Sequence, residues 1–380
     1  MRIDHDEMRA RRNRKWSTYA DDVLPAWVAE MDLPTDPVVL SALHAAVDDE
    51  RLGYPPRDDL TDVPDAVVDW YRNRYDGEPP DPAHVHLVPD VLKGVELGIE
   101  HYAAPGSAVV LPTPAYMPFF GVCANAGREV VEVPLVEAGL DLDAIDTALA
   151  QGAGTVVLCH PHNPTGRVFD VENLRGLAEI VERHGARVVS DEVHGPIVYD
   201  DEHVPYASVS AAATGHTLTV TAASKAWNLP GLKCAVAITH SEADLATWER
   251  IPVLRTEGTS SLGIAATEAA FVRGGPWLDE TIAFLDENRT WFAELLAERL
   301  PDVGYTPPAA TYFAWLDCRA LDLPDEPAAW FLENAGVAVN PGPPFGRAGE
   351  GFVRVNLATS QEMLEELVAR MSRSLDRLRP

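Results

Sequence analysis

The chain has 380 residues, beyond the size at which one hydrophobic core keeps growing, so two domains are expected. Its 30 basic and 59 acidic side chains leave a formal charge of −29, which repels nucleic acid and anionic membrane surfaces. Hydrophobic residues make up 46%, an ordinary soluble composition, and no apolar run approaches the roughly 18 residues that span a bilayer.

The opening MRIDHDEMRARRNRK lacks the apolar stretch of a secretory leader. Its basic cluster reads as an arm packed on an acidic body. Short β-type runs then alternate with helical stretches. The runs fall at 107–111, 129–133, 155–159, 187–190, 217–221 and 234–238, and several are continuously apolar. That is the pattern of strands buried on both faces of a mostly parallel sheet. Between them, 171–184 carries Leu174, Leu177, Ile180 and Val181 at helical spacing and stops at Gly185. A long helical pattern follows over 276–300, then strand-like 311–317, turn-rich 340–351, strand-like 352–357 and a closing helix over 360–378. The expected fold is α/β: a large three-layer α/β/α domain over 45–275, with a smaller α+β domain built from 1–44 and 276–380. Cys123, Cys159, Cys234 and Cys318 are widely separated, and all but the last lie in apolar runs. They read as free thiols, with neither a disulfide framework nor a metal site, which places the protein in the cytoplasm.

Only four lysines, Lys15, Lys93, Lys225 and Lys233, accompany twenty-six arginines. Arginine cannot replace lysine where an amine must lose its proton and attack a carbonyl. Lys225 and Lys233 share the segment SKAWNLPGLK and are candidate covalent anchors for an aldehyde cofactor. Ligands in open α/β sheets sit beyond the carboxyl ends of the strands. Three such ends carry polar residues: HPHNPTG after 155–159, DEVHGP after 187–190 and AASK after 217–221. An Asp after a strand can also cap a helix, and Asn163-Pro-Thr-Gly166 is also a good turn. The joint placement of amine, amide and carboxylate at one sheet edge is what points to a pyridoxal phosphate site. Asp191 would keep the pyridine nitrogen protonated, Asn163 would donate to the phenolic oxygen and Lys225 would bind the cofactor covalently.

With HNPTG, then SDEVH 28 residues on from Asn163 to Asp191, then SKAWNLPGLK 34 residues on from Asp191 to Lys225, the chain resembles the fold-type I pyridoxal-phosphate enzymes of aminotransferase class I/II along essentially its whole length. AWVAEMDLP near the N-terminus, Gly53-Tyr54-Pro55, and His194 where aminotransferases usually carry Tyr narrow the resemblance to the MalY/PatB cystathionine β-lyase subgroup. The resemblance implies that Tyr116 stacks on the pyridine ring, and that His194 belongs to the cofactor site. Backbone N–H groups of Val91 and Leu92, opening a helix over 90–103, would meet the phosphate together with Ser224 and Lys233. Asp90 stands where the family often has Ser or Gly, and is expected to cap that helix facing away from the cofactor. Tyr54 would reach the neighbouring subunit's phosphate in a homodimer, and Arg354 would grip the substrate carboxylate. The implied activity is β-elimination from L-cystathionine or related S-substituted cysteines. An aminotransferase and a regulatory protein retaining the fold are the alternatives.

Overall fold

A computed structural model describes residues 3–378 of the chain. Seven strands form the main sheet: β1 (Val85–Val88), β2 (Ala108–Thr113), β3 (Val130–Pro134), β4 (Ala153–Cys159), β5 (Arg187–Asp191), β6 (Thr217–Thr221) and β7 (Ala235–Thr239). Their spatial order is β1-β7-β6-β5-β4-β2-β3, and β7 alone runs antiparallel to its neighbours. The six expected runs are β2 to β7, with ends displaced by a residue or two. The edge strand β1 is an addition. Its VHLV sequence includes a buried His86, whose ring lies on Trp248 at 4.6 Å, a contact that sequence pattern does not reveal.

Helices cover both faces. On one, Val171–His184 starts where Asp170 accepts the Asn173 N–H at 2.7 Å and stops at Gly185, whose φ of +61° suits a residue without Cβ. It buries Leu174, Leu177, Ile180 and Val181 against β4 and β5 residues such as Val156 and Val188. Each such buried side chain contributes about 1.5–3 kcal/mol relative to exposure. On the other face, Val91–His101 lies on β5 and β6. A Cβ at Gly94 would stand 2.6 Å from Val220, and one at Gly98 2.6 Å from Val189. These two glycines set how close the helix lies to the sheet, and hence where its N-terminus ends up.

A second sheet orders β9 (Asn340–Pro341), β10 (Phe352–Asn356) and β8 (Phe313–Asp317), all antiparallel. It packs with Phe292 and Leu296 of the long helix Gly275–Arg299, and with Leu364, Leu367 and Met371 of the closing helix Gln361–Asp376. The N-terminal segment is stitched onto this layer. Leu24–Pro25 pairs with Val337–Ala338, and the Asn356 amide donates to the carbonyls of Val28 and Glu30 at 2.7 Å each. Position 44/45, the expected passage between domains, lies inside the helix Pro37–Asp48. Among the described residues no helix is long and apolar enough to cross a membrane, and all four cysteines are free and buried.

The basic arm does pack down, and its buried contact is an ion pair. Lys15 Nζ donates to Asp32 at 2.6 Å with both side chains fully buried, and Trp16 Nε1 donates to the other carboxylate oxygen at 2.7 Å. A compact ammonium fits where a guanidinium fork would not, which accounts for a second surviving lysine. Removing one member of a buried pair strands the other charge. Asp32→Ala is therefore expected to cost about 3–5 kcal/mol in urea unfolding, and a loss below roughly 1 kcal/mol would show that water replaces the carboxylate.

Candidate active site

The carboxyl ends of β4, β5 and β6 stand level because the ladder is in register, with Cys159 opposite Asp191 and Asp191 opposite Val220. Asp191 is the last residue of its strand, not the first beyond it. It is buried, one oxygen accepts the Val193 N–H at 3.1 Å, and burial pushes its carboxyl up to about 7. An unpaired carboxylate is costly in that position. A cationic ring nitrogen would relieve it.

Lys225 lies in the turn after β6. Trp227 pins that turn: its side chain is fully buried and its indole N–H donates to the Gly274 carbonyl at 3.0 Å. Asn228, at φ +57°, exchanges two 2.9 Å hydrogen bonds with the backbone of Met31 and ties the turn to the N-terminal segment. Burial, and next the charge of Arg354, bring the Lys225 ammonium down to about 8. A useful fraction of it is therefore the neutral, nucleophilic amine near neutral pH.

One cleft gathers Lys225 and Asp191 with Tyr116, Ser224, Lys233, Val91 and Leu92. A wider surface groove beside Tyr75, Glu78 and His240 contains none of the expected residues. Arg354, in the middle of β10, is buried between Phe313 and Phe345, 4.1 Å and 5.2 Å from their ring centres. It donates to Asn163 Oδ1 at 2.8 Å, Asn340 Oδ1 at 2.6 Å and the Trp27 carbonyl at 3.3 Å. Its Nε is buried with no partner among the described residues, and burial lowers the guanidinium to about 10. The same contact fixes Asn163 with its amide oxygen toward Arg354, leaving the NH₂ as a donor elsewhere. His194 is buried edge-on to Tyr312 and Phe313, and its Nδ1 also lacks a partner. Burial, then the charges of Lys225 and Arg354, hold it well below the usual histidine range, so the ring is neutral.

One expectation needs adjustment. Asp90 does cap Val91–His101, Oδ1 accepting the Lys93 N–H at 2.9 Å, but it does not face away. It lines the cleft, and Oδ2 accepts from Lys233 Nζ at 2.7 Å. A carboxylate beside a phosphate site is unfavourable alone, and the Lys233 ammonium offsets it here. Tyr54 stands fully exposed on the surface, outside the cleft of its own chain. Sequence reasoning also passed over Asn340, the Trp27 carbonyl, Phe313 and Phe345, the groups that hold Arg354.

The donor set fits pyridoxal phosphate: an amine of lowered affinity for protons, a buried carboxylate, an aromatic ring and a helix N-terminus beside a lysine. The sequence profile of the family described as aminotransferase class I and II matches residues 17–371. The chain belongs to this family. Within it, the chain is 40% identical over 370 residues to a cystathionine beta-lyase of Corynebacterium glutamicum, covering 97% of this chain and 98% of that one. It is 34% identical to cystathionine beta-lyase PatB of Bacillus subtilis, covering 92% and 93%. A crystal structure from Corynebacterium diphtheriae, provisionally described as a PLP-dependent beta-cystathionase, superimposes with a TM-score of 0.95 at 38% identity over 98% of both chains. The family resemblance and its β-lyase branch are thereby borne out.

Proposed function

We propose that the chain is a pyridoxal-phosphate carbon–sulfur β-lyase that takes L-cystathionine or related S-substituted L-cysteines to a thiol, pyruvate and ammonia. The single observation that carries this reading is the convergence of Lys225, Asp191 and the Val91–Leu92 helix start in one cleft. The lyase branch of the relatives chooses between elimination and transamination. When bound, the cofactor supplies a sink for the electron pair left on the substrate α-carbon. Asp191 holds the positive charge at the ring nitrogen that makes the sink effective. Asn163 donates to the phenolic oxygen, Tyr116 covers a ring face, and Ser224, Lys233 and the backbone of Val91 and Leu92 hold the phosphate. Arg354 offers its unpartnered Nε side to the substrate carboxylate. Lys225 Nζ takes the α-proton as general base, and loss of the β-thiolate follows. His194, buried and neutral beside Phe313, belongs to the cofactor site in this reading.

The working form is a homodimer in the cytoplasm, with Tyr54 completing the neighbouring subunit's phosphate site. Support comes from the exposure of Tyr54 together with Leu52, Leu60, Val253 and Leu254. The large domain of this reading carries the seven-stranded sheet, and the small one carries the β8–β10 sheet with the N-terminal segment.

With L-cystathionine the enzyme is expected to release equal amounts of pyruvate, ammonia and homocysteine without any added keto acid. If turnover instead stops after one equivalent and resumes only when a keto acid is supplied, the chain is an aminotransferase.

A further inference from the structure

Asp90 is held from two sides. Oδ1 is committed to the Lys93 N–H at 2.9 Å, so the carboxylate cannot swing out of the cleft without uncapping the helix. Oδ2 holds Lys233 Nζ at 2.7 Å. Lys233 is itself fixed from behind: its backbone sits at φ +52°, an uncommon conformation for a side-chain-bearing residue, and its carbonyl accepts the Ser260 N–H at 2.9 Å. Burial alone would raise the Asp90 carboxyl. The contact with Lys233 and the cap outweigh it and hold the group below the ordinary 3.8, so it is an anion at neutral pH.

We infer that Asp90 is a built-in competitor for the cofactor phosphate: an intramolecular carboxylate that occupies Lys233 at the mouth of the phosphate site. The inference rests on the reading that this cleft holds pyridoxal phosphate. A phosphate arriving at the Val91 and Leu92 N–H groups gains the helix N-terminus. It gains Lys233 only by drawing the ammonium away from Asp90 or by sharing it. Sharing leaves two anions on one cation, and drawing it away leaves a charged carboxylate beside the phosphate. Either arrangement costs affinity, because like charges in a partly desolvated cleft repel. The consequence is a looser grip on the phosphate than an uncharged residue at position 90 would allow, with the site neutralised from within when the cofactor departs. Serine or glycine at this position would leave Lys233 free for the phosphate.

Asp90→Asn separates this role from helix capping, since an asparagine oxygen still accepts the Lys93 N–H. The stripped protein would be titrated with pyridoxal phosphate and followed by its visible absorption, with the release rate measured after dilution into a cofactor scavenger. Asp90→Asn is expected to bind about threefold more tightly and to release more slowly, because a partly solvent-screened like-charge repulsion is removed. Asp90→Ser, which also caps, should do the same. Lys233→Gln, which leaves Asp90 alone with the phosphate, should bind more weakly than wild type. If wild type binds with its yellow band and both Asp90 variants bind equally or less tightly at an unchanged melting temperature, the competitor role is wrong while the function stands. If wild type does not take up the cofactor at all, the functional reading fails and this inference fails with it.

Discussion

A Lys225→Ala chain is expected to lose turnover by at least about four orders of magnitude, because in the proposed reading one side chain supplies both the covalent anchor and the general base. Its lowered ammonium and its place in the cleft are what suit it to both tasks. Borohydride reduction of the wild-type enzyme followed by peptide mapping should find the cofactor on Lys225. A label on Lys233 or Lys93 would sink the assignment. The same inactive chain tests the shared site. Mixed with inactive Tyr54→Phe chains, it should regenerate about a quarter of the wild-type sites, since random exchange makes half the dimers mixed and each mixed dimer has one intact site. Mixed dimers without recovered activity would mean that Tyr54 serves its own subunit.

Asp191→Asn is expected to keep weak cofactor binding and lose turnover by several orders of magnitude, because an amide cannot hold a charged ring nitrogen in a dry site. Near-normal turnover would show that the ring sits elsewhere. A second signature comes from stability. The Asp191 carboxyl is raised from 3.8 to about 7, so the folded chain holds a proton that the unfolded chain has already released. Its contribution is therefore present below pH 3.8 and is lost as pH rises through about 7. A cation beside the carboxylate restores the charged form and removes that loss. Melting temperatures of stripped and loaded enzyme should therefore diverge as pH is raised from about 5 to 8. Parallel curves would mean that no cation meets Asp191.

How much of this was legible in the sequence follows from the range over which each residue is determined. The inner strands could be read because burial on both faces writes a continuous apolar run, as in Val156-Val157-Leu158. Lys225, Asp191 and Asn163 could be read because the ends of such strands are where an α/β sheet exposes chemistry. The support of Arg354 could not. Asn340 is 14 residues away from it and the Trp27 carbonyl 327, and neither carries a local pattern. The two-residue pairing of Leu24–Pro25 with Val337–Ala338 is likewise imposed by the packing around it, not by strand propensity. Asp90 was half legible. Capping is a local rule and was foreseen, whereas its second bond comes from Lys233, 143 residues downstream.

The stitching of the N-terminal segment to the second sheet also has a consequence for the order in which the enzyme matures. Residues 24–32 are synthesised long before their partners Ala338, Asn356 and Ala358. The strands of the main sheet end at Thr239 and can assemble earlier; the guanidinium of Arg354 cannot meet the Trp27 carbonyl until a further 115 residues have been made. Asp191 and Lys225 can thus be in place before Arg354, which also orients Asn163. Activity is therefore expected to trail the cofactor's colour during refolding of the full chain.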